Sequence, residues 1–225
     1  MSTPPLAFEN VPLGAADGAT VTFAVAARET VSVVGNSASG IRILGPLAMG
    51  LTDPAGGRVT VFDTEPTSLP RRALLAYRRR VGYLPAGDGL LQNLTLGQNV
   101  ALPLRFGSDL ATNEIESRLT ILLAAAGLAA AGHLRPAQAT VEQRRRATLA
   151  RALAFDPKLV ILEEPFVGLT EPGARHILDA ARGGDVEGGS RRTVVTLGPN
   201  LPSWVVRRFD RRFRMAAGVL EETDQ

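Results

Sequence analysis

The stretch Thr30-Val31-Ser32-Val33-Val34-Gly35-Asn36-Ser37-Ala38-Ser39-Gly40-Ile41-Arg42-Ile43 decides how the rest of the chain is read. Thr30 to Val34 reads as an apolar strand of the buried parallel type. Gly35 to Arg42 then has the spacing of the phosphate-cradling loop G-x-x-x-x-G-K-[ST], and a helix-like run follows from Ile43 toward Met49. Ile41 stands where that loop needs lysine, and Arg42 where it needs serine or threonine. All but one of the 25 basic residues are arginine, and the single lysine is Lys158. No shift of register can therefore supply the missing ammonium.

Working outward, 225 residues suit one domain, or one domain with an inserted subdomain. A hydrophobic fraction of 45% is ample for a buried core. The absence of cysteine excludes disulfides and thiolate metal sites, and fits a cytosolic setting. Met1 to Leu13 has no basic segment followed by an apolar core, so no secretory signal is expected. The longest apolar run, Ile121 to Gly132, is too short to cross a bilayer, which leaves a peripheral membrane role. The arginine bias points to a GC-rich coding sequence more than to a function. A net charge of +3, with no aromatic interleaving or base-reading motif, argues against a nucleic-acid partner. Arginine clusters at 71–72, 78–80, 144–146 and 207–214 read as solvated helix faces and end caps.

Short strands are expected at Leu6–Val11 and Ala19–Val25, then at Thr30–Val34, Gly57–Phe62 and Val81–Leu84. Ile115, Leu119, Leu122, Leu123 and Ala126 form an apolar stripe at helical spacing. Helices are expected at Arg72–Arg79, Leu96–Pro103, Gln143–Phe155 and Gly173–Arg182. Gly183–Ser190 reads as a flexible loop. Lys158–Leu162 is the most apolar strand and runs into Glu163-Glu164-Pro165; Arg192–Leu197 is another. Strands alternating with helices imply βαβ units and a mainly parallel sheet.

Taken in order, these segments resemble the nucleotide-binding domain of ABC transporters over essentially the whole chain. The best-kept stretch, Arg144 to Pro157, looks like the helix after the ABC signature, and Leu159 to Phe166 looks like Walker B. Glu164-Pro165-Phe166-Val167-Gly168 and Leu91 to Leu104 are most similar to the ATPase subunits of Mla/Mce-type phospholipid transporters. The resemblance implies an α/β P-loop NTPase (RecA-like) core with a mainly parallel sheet and a small antiparallel β subdomain. A helical subdomain, about residues 87–156, is inserted in one domain spanning 1–225.

The resemblance also assigns sites, and most have lost their chemistry. In the degenerate loop (Gly35, Asn36, Ser37, Ala38, Ser39, Gly40, Ile41, Arg42) the backbone amides could still form an anion nest. Ile41 removes the ammonium that holds β- and γ-phosphates. Arg42 removes the Mg²⁺-ligating hydroxyl; it either takes over phosphate binding or faces solvent or an acid. The signature aligns with Ala139 and Thr140-Val141-Glu142-Gln143, where Val141 and Glu142 replace two glycines. Glu163 replaces the Walker B aspartate, and Glu164 matches the general base; both are vestigial without positioned phosphates and metal. A bland reading of that segment is a solvated strand end. The Q-loop glutamine is absent near Pro85-Ala86, the D-loop aspartate is Thr170, and no histidine lies near Leu197-Gly198. His133 and His176 read as surface residues. No aromatic stands in the adenine-stacking turn, Leu13 to Asp17.

The expectation is a subunit without tightly bound cofactor, weak toward ATP and Mg²⁺, with no metal site of its own. Its partners would be a membrane permease and a second, active nucleotide-binding subunit, on the cytoplasmic face of the cell membrane. Two alternatives stand beside it: a slow ATPase using Glu164 with Arg42 as phosphate clamp, and a soluble scaffold that borrowed the fold.

Overall fold

A computed structural model describes residues 3–14, 18–183 and 192–223. Most of the expected flexible loop, and residues 15–17 of the expected adenine-stacking turn, lie outside the described residues.

Two sheets form the scaffold. Strands β1 (Leu6–Pro12), β2 (Thr20–Val25) and β4 (Arg58–Thr60) make an antiparallel sheet of order β2-β1-β4. The larger sheet adds β3 (Thr30–Gly35), β5 (Val81–Leu84), β6 (Leu159–Glu163), β7 (Thr193–Gly198), β8 (Arg211–Ala216) and β9 (Val219–Glu222), in the order β5-β6-β7-β3-β8-β9. Its pairs are parallel except β8 with β9. Every residue of β6 is buried, because it is covered on both faces and flanked on both edges. The parallel run brings the carboxyl ends of β3, β6 and β7 side by side, which is where open α/β sheets present their ligand crevice.

Helices α1 (Leu44–Ala48), α2 (Arg71–Arg78) and α6 (Glu171–Arg182) serve this core. Helices α3 (Leu96–Gly107), α4 (Thr112–Ala125) and α5 (Val141–Ala152) form the helical subdomain. Helix α5 belongs to both halves. Its Leu149 packs with Leu162 and Val160 of β6, while Ala147 and Ala150 pack with Leu96 and Val100 of α3. Of the apolar stripe along α4 and its C-cap, Ile115 and the capping Ala126 are buried, and Leu119, Leu122 and Leu123 are partly buried against the α3–α5 cluster. No helix among the described residues is long and apolar enough to cross a membrane.

Three of the local expectations that change have a visible cause. The run after residue 43 yields only a five-residue helix, preceded by two 3₁₀ turns, Ser37–Ser39 and Ile41–Ile43. Gly40 is responsible: at φ 82° it is left-handed and breaks the turn. Strand β4 stops at Thr60, because Phe62 and Asp63 adopt φ of 49° and 61°. Helix α6 starts at Glu171, two residues early, since the Thr170 side chain accepts from the Gly173 amide at 3.3 Å.

Candidate functional site

The loop after β3 is stitched to itself. Asn36 Oδ1 accepts from the Ser39 amide at 3.0 Å, and Ser39 Oγ donates to the Asn36 carbonyl at 2.7 Å. The Ser39 backbone also bonds the Asn36 carbonyl at 3.1 Å. An amide that an anion nest would need is thus already occupied, and the five-residue α1 contributes little dipole. Both framing glycines have packing reasons to be there. A Cβ on Gly35 would sit 2.5 Å from Ser39 Oγ, and one on Gly40 would sit 2.6 Å from Leu13 Cβ. Ser37 and Ala38 continue the loop, and Ile41 is 3% exposed, packed in the main core.

Arg42 turns back toward the sheet. Its Nη2 lies 3.4 Å from Glu164 Oε1, with the Arg42 side chain 67% exposed and that of Glu164 23% exposed. In this structure the Arg42 guanidinium therefore faces both solvent and an acid. Glu164 follows β6 in a left-handed conformation, φ 47°, held by its amide on the Leu197 carbonyl at 2.7 Å. The cost of that backbone for a residue with a Cβ is met by a bond to the neighbouring strand.

Glu163 corrects the solvated-strand-end reading, because it is buried. Its Oε1 accepts from Tyr83 Oη at 2.8 Å and its Oε2 from the Ala86 amide at 2.9 Å. Burial, then the hydrogen bond to Glu163, pushes the Tyr83 phenol well above its ordinary range, so it remains a donor. The carboxylate ties the end of β6 to the end of β5. Gly35, Ser37, Ile41, Arg42, Ala86, Glu163, Glu164 and Gly198 converge on one cavity of about 30 Å³.

The signature-like residues lie elsewhere, on the amino end of α5, and do not line this cavity. Thr140 Oγ1 accepts from the Gln143 amide at 3.1 Å, and Gln143 Oε1 accepts from the Thr140 amide at 2.9 Å. This reciprocal cap uses the hydroxyl and the amide side chain within the helix itself. Val141 is exposed, and Glu142 is ion-paired with Arg146 one turn on.

Two further corrections concern cations. Arg144 to Arg146 are not a solvated face. Arg145 is 4% exposed and donates to the Gly87 carbonyl at 2.7 Å, and Arg144 Nε is 2.6 Å from Asp88 Oδ2. Burial pulls the Arg145 guanidinium below its ordinary value, against the opposing pull of Asp88. His176, on α6, is half-buried, with Nε2 buried and without a hydrogen-bond partner. Burial, then Arg146, lowers its pKa below the ordinary 6.5. The structural roles of Tyr83 and Asp88 were not legible beforehand. Nothing local marks an aromatic on β5 or an acid between two glycines as partners of residues about 56 to 80 positions away.

Comparison with known proteins matches residues 19–167 to the family described as ABC transporter. The lipoprotein-releasing system ATP-binding protein LolD of Chromohalobacter salexigens is 33% identical over 88% of this chain and 82% of its own length. The methionine import ATP-binding protein MetN of Caulobacter vibrioides is 35% identical over 78% of this chain, which spans 53% of that relative. Among solved structures, a dimeric ATP-binding cassette in a post-hydrolysis state with ADP and phosphate superposes with a TM-score of 0.82, at 22% identity, covering 98% of this chain and 99% of that one. The fold, the ordered motifs and these relatives agree, and the chain belongs to the ABC transporter family, as a nucleotide-binding domain of such a system.

Proposed function

We propose that this chain is the silent half of a heteromeric ABC transporter. It sits under a membrane permease on the cytoplasmic face, paired with a second chain that carries the active ATPase machinery. One observation carries the reading: the groups that a Mg²⁺-nucleotide would need are engaged within the protein. Arg42 lies on Glu164, and both Glu163 oxygens are held by Tyr83 and Ala86. The Ser39 amide is capped by Asn36, and Ile41 is in the core. A guanidinium on the acid repels the cation that the family's chemistry requires, so the residues present do not fit Mg²⁺-nucleotide and no hydrolytic step passes through them. The core strands remain fully packed, which supports a fold kept for binding.

A homodimer would contain two such sites, which favours a mixed pair. The relative named for lipoprotein release, together with the Glu164-to-Gly168 segment, supports a lipid-like cargo. Methionine-import relatives match over a similar share of the chain, so cargo is secondary to the silent-subunit reading.

The test is a mild-detergent pull-down from native membranes, read by mass spectrometry. Recovery of a permease and a second chain with an intact Gly-Lys-Ser/Thr loop supports the proposal. Recovery with soluble proteins only favours the scaffold. Measurable hydrolysis by the purified chain, abolished by Glu164→Gln, favours the slow ATPase with Arg42 as clamp.

A further inference from the structure

The segment from Pro85 to Leu91 joins β5 of the core to the helical subdomain. It is bonded along nearly its whole length. The Ala86 amide is held by Glu163 at 2.9 Å. The Gly87 carbonyl accepts from Arg145 at 2.7 Å, and the Asp88 carboxylate is held by Arg144 at 2.6 Å. The Asp88 carbonyl accepts from Thr148 Oγ1 at 2.8 Å, and the Gly89 carbonyl from Arg151 at 2.7 Å. Leu91 closes the series: its amide donates to Asn99 Oδ1 at 2.8 Å, and its carbonyl accepts from Asn99 Nδ2 at 3.1 Å. Gly87 and Gly89, both left-handed at φ 77° and 56°, turn the backbone on either side of Asp88.

The partners fall on three elements. Glu163 ends β6 of the core, Asn99 is on α3, and the four remaining donors lie along α5. Since α3 and α4 pack on α5, the connecting segment and α5 together set how the helical subdomain sits on the core. Arg145 is the central part. Its buried guanidinium donates from Nη1 to the Gly87 carbonyl, while its Nε lies 3.9 Å from Asp88 Oδ1 without a hydrogen bond; moving the segment would take both the acceptor and the nearby carboxylate away from a buried charge.

From this we infer that Asp88 with Arg144, Arg145, Thr148 and Arg151, together with Glu163 on Ala86, forms a lock that fixes the helical subdomain on the core without any ligand. It deepens the silent-subunit reading, on which it rests only for its purpose: docking helices held at one angle suit a subunit that presents a constant surface.

The chain has no cysteine, so Thr67→Cys on the core and Glu116→Cys on α4, both exposed, can carry unique spin labels. Distances by pulsed EPR and amide exchange by mass spectrometry are read without nucleotide. The expected result is one narrow distance in the parent protein. In Asp88→Ala the distance broadens, and exchange of residues 86–91 rises about tenfold or more. A parent with two distances, or an Asp88→Ala protein identical to it by both measurements, overturns the lock. If circular dichroism shows Asp88→Ala unfolded, Arg144→Ala, which removes a partly exposed partner, is read in the same way. Tight ATP binding would sink the silent-subunit reading while leaving these nucleotide-free outcomes to judge the lock separately.

Discussion

Truncating Glu163 to alanine separates a structural brace from a carboxylate kept for metal. In the structure its two oxygens accept from Tyr83 Oη and the Ala86 amide, and the residue is 8% exposed. Hydrogen bonds to a charged group are worth about 1.5–3 kcal/mol each. Two of them give roughly 3–6 kcal/mol gross, with two buried donors then orphaned. Truncation also releases the cost of burying the carboxylate, so the net loss is about 2–4 kcal/mol. Against a total of about 5–15 kcal/mol that is a large fraction. For a chain of this size it lowers Tm by roughly 4–16 °C. Urea unfolding followed by far-UV circular dichroism, with the fluorescence of the single tryptophan, Trp204, as second probe, measures the loss as a lower midpoint at unchanged slope. Glu163→Gln keeps the volume and part of the bonding and should lose about half as much. Stability unchanged or raised in Glu163→Ala would refute the reasoning. It would mean that the carboxylate is an unsupported buried charge, retained for something it binds.

Four other outcomes follow from the same geometry. Arg42→Ala should change stability by less than about 1 kcal/mol, because its 3.4 Å pair is largely exposed; a larger loss in urea unfolding would contradict that. Mg²⁺-ATP at roughly its dissociation constant stabilises by only about 0.4 kcal/mol, so millimolar nucleotide should shift Tm by less than about 2 °C; a shift of several degrees would show a competent site. Ile41→Lys with Arg42→Ser should not restore hydrolysis in a phosphate-release assay, and loss of the buried Ile41 should cost about 1.5–3 kcal/mol. His176 is held below its ordinary pKa when folded, so the unfolded chain binds more protons as pH falls through about 6.5. Stability should therefore decline on acidification below that point, and His176→Gln, measured by urea midpoints between about pH 5 and 7, should flatten that part of the decline.

Elements whose signal is local were legible. The apolar β6, the α4 stripe and the strand–loop–helix order around residues 30–43 follow from hydrophobic periodicity and turn residues. Misplaced boundaries trace to local details with tertiary causes, such as Gly40 turning left-handed beneath Leu13, or Thr170 capping α6. The arginine triple at the start of α5 was misjudged for the opposite reason. A basic run looks solvated until a carboxylate more than fifty residues away is folded against it.

Residue identity at a fixed spacing needs no coordinates, so the chain alone established the frame of a phosphate loop with Ile41 in place of its lysine and Arg42 in place of the serine or threonine that follows. Folding settles where the remaining groups place their charge and hydrogen bonds. Glu163 braces β5, Arg42 covers Glu164, Asn36 closes the loop, and Asp88 anchors α5. Each of these side chains could have served a ligand as well as a neighbour. Which one it serves depends on distances set by packing across the sheet, and sequence spacing does not encode those distances.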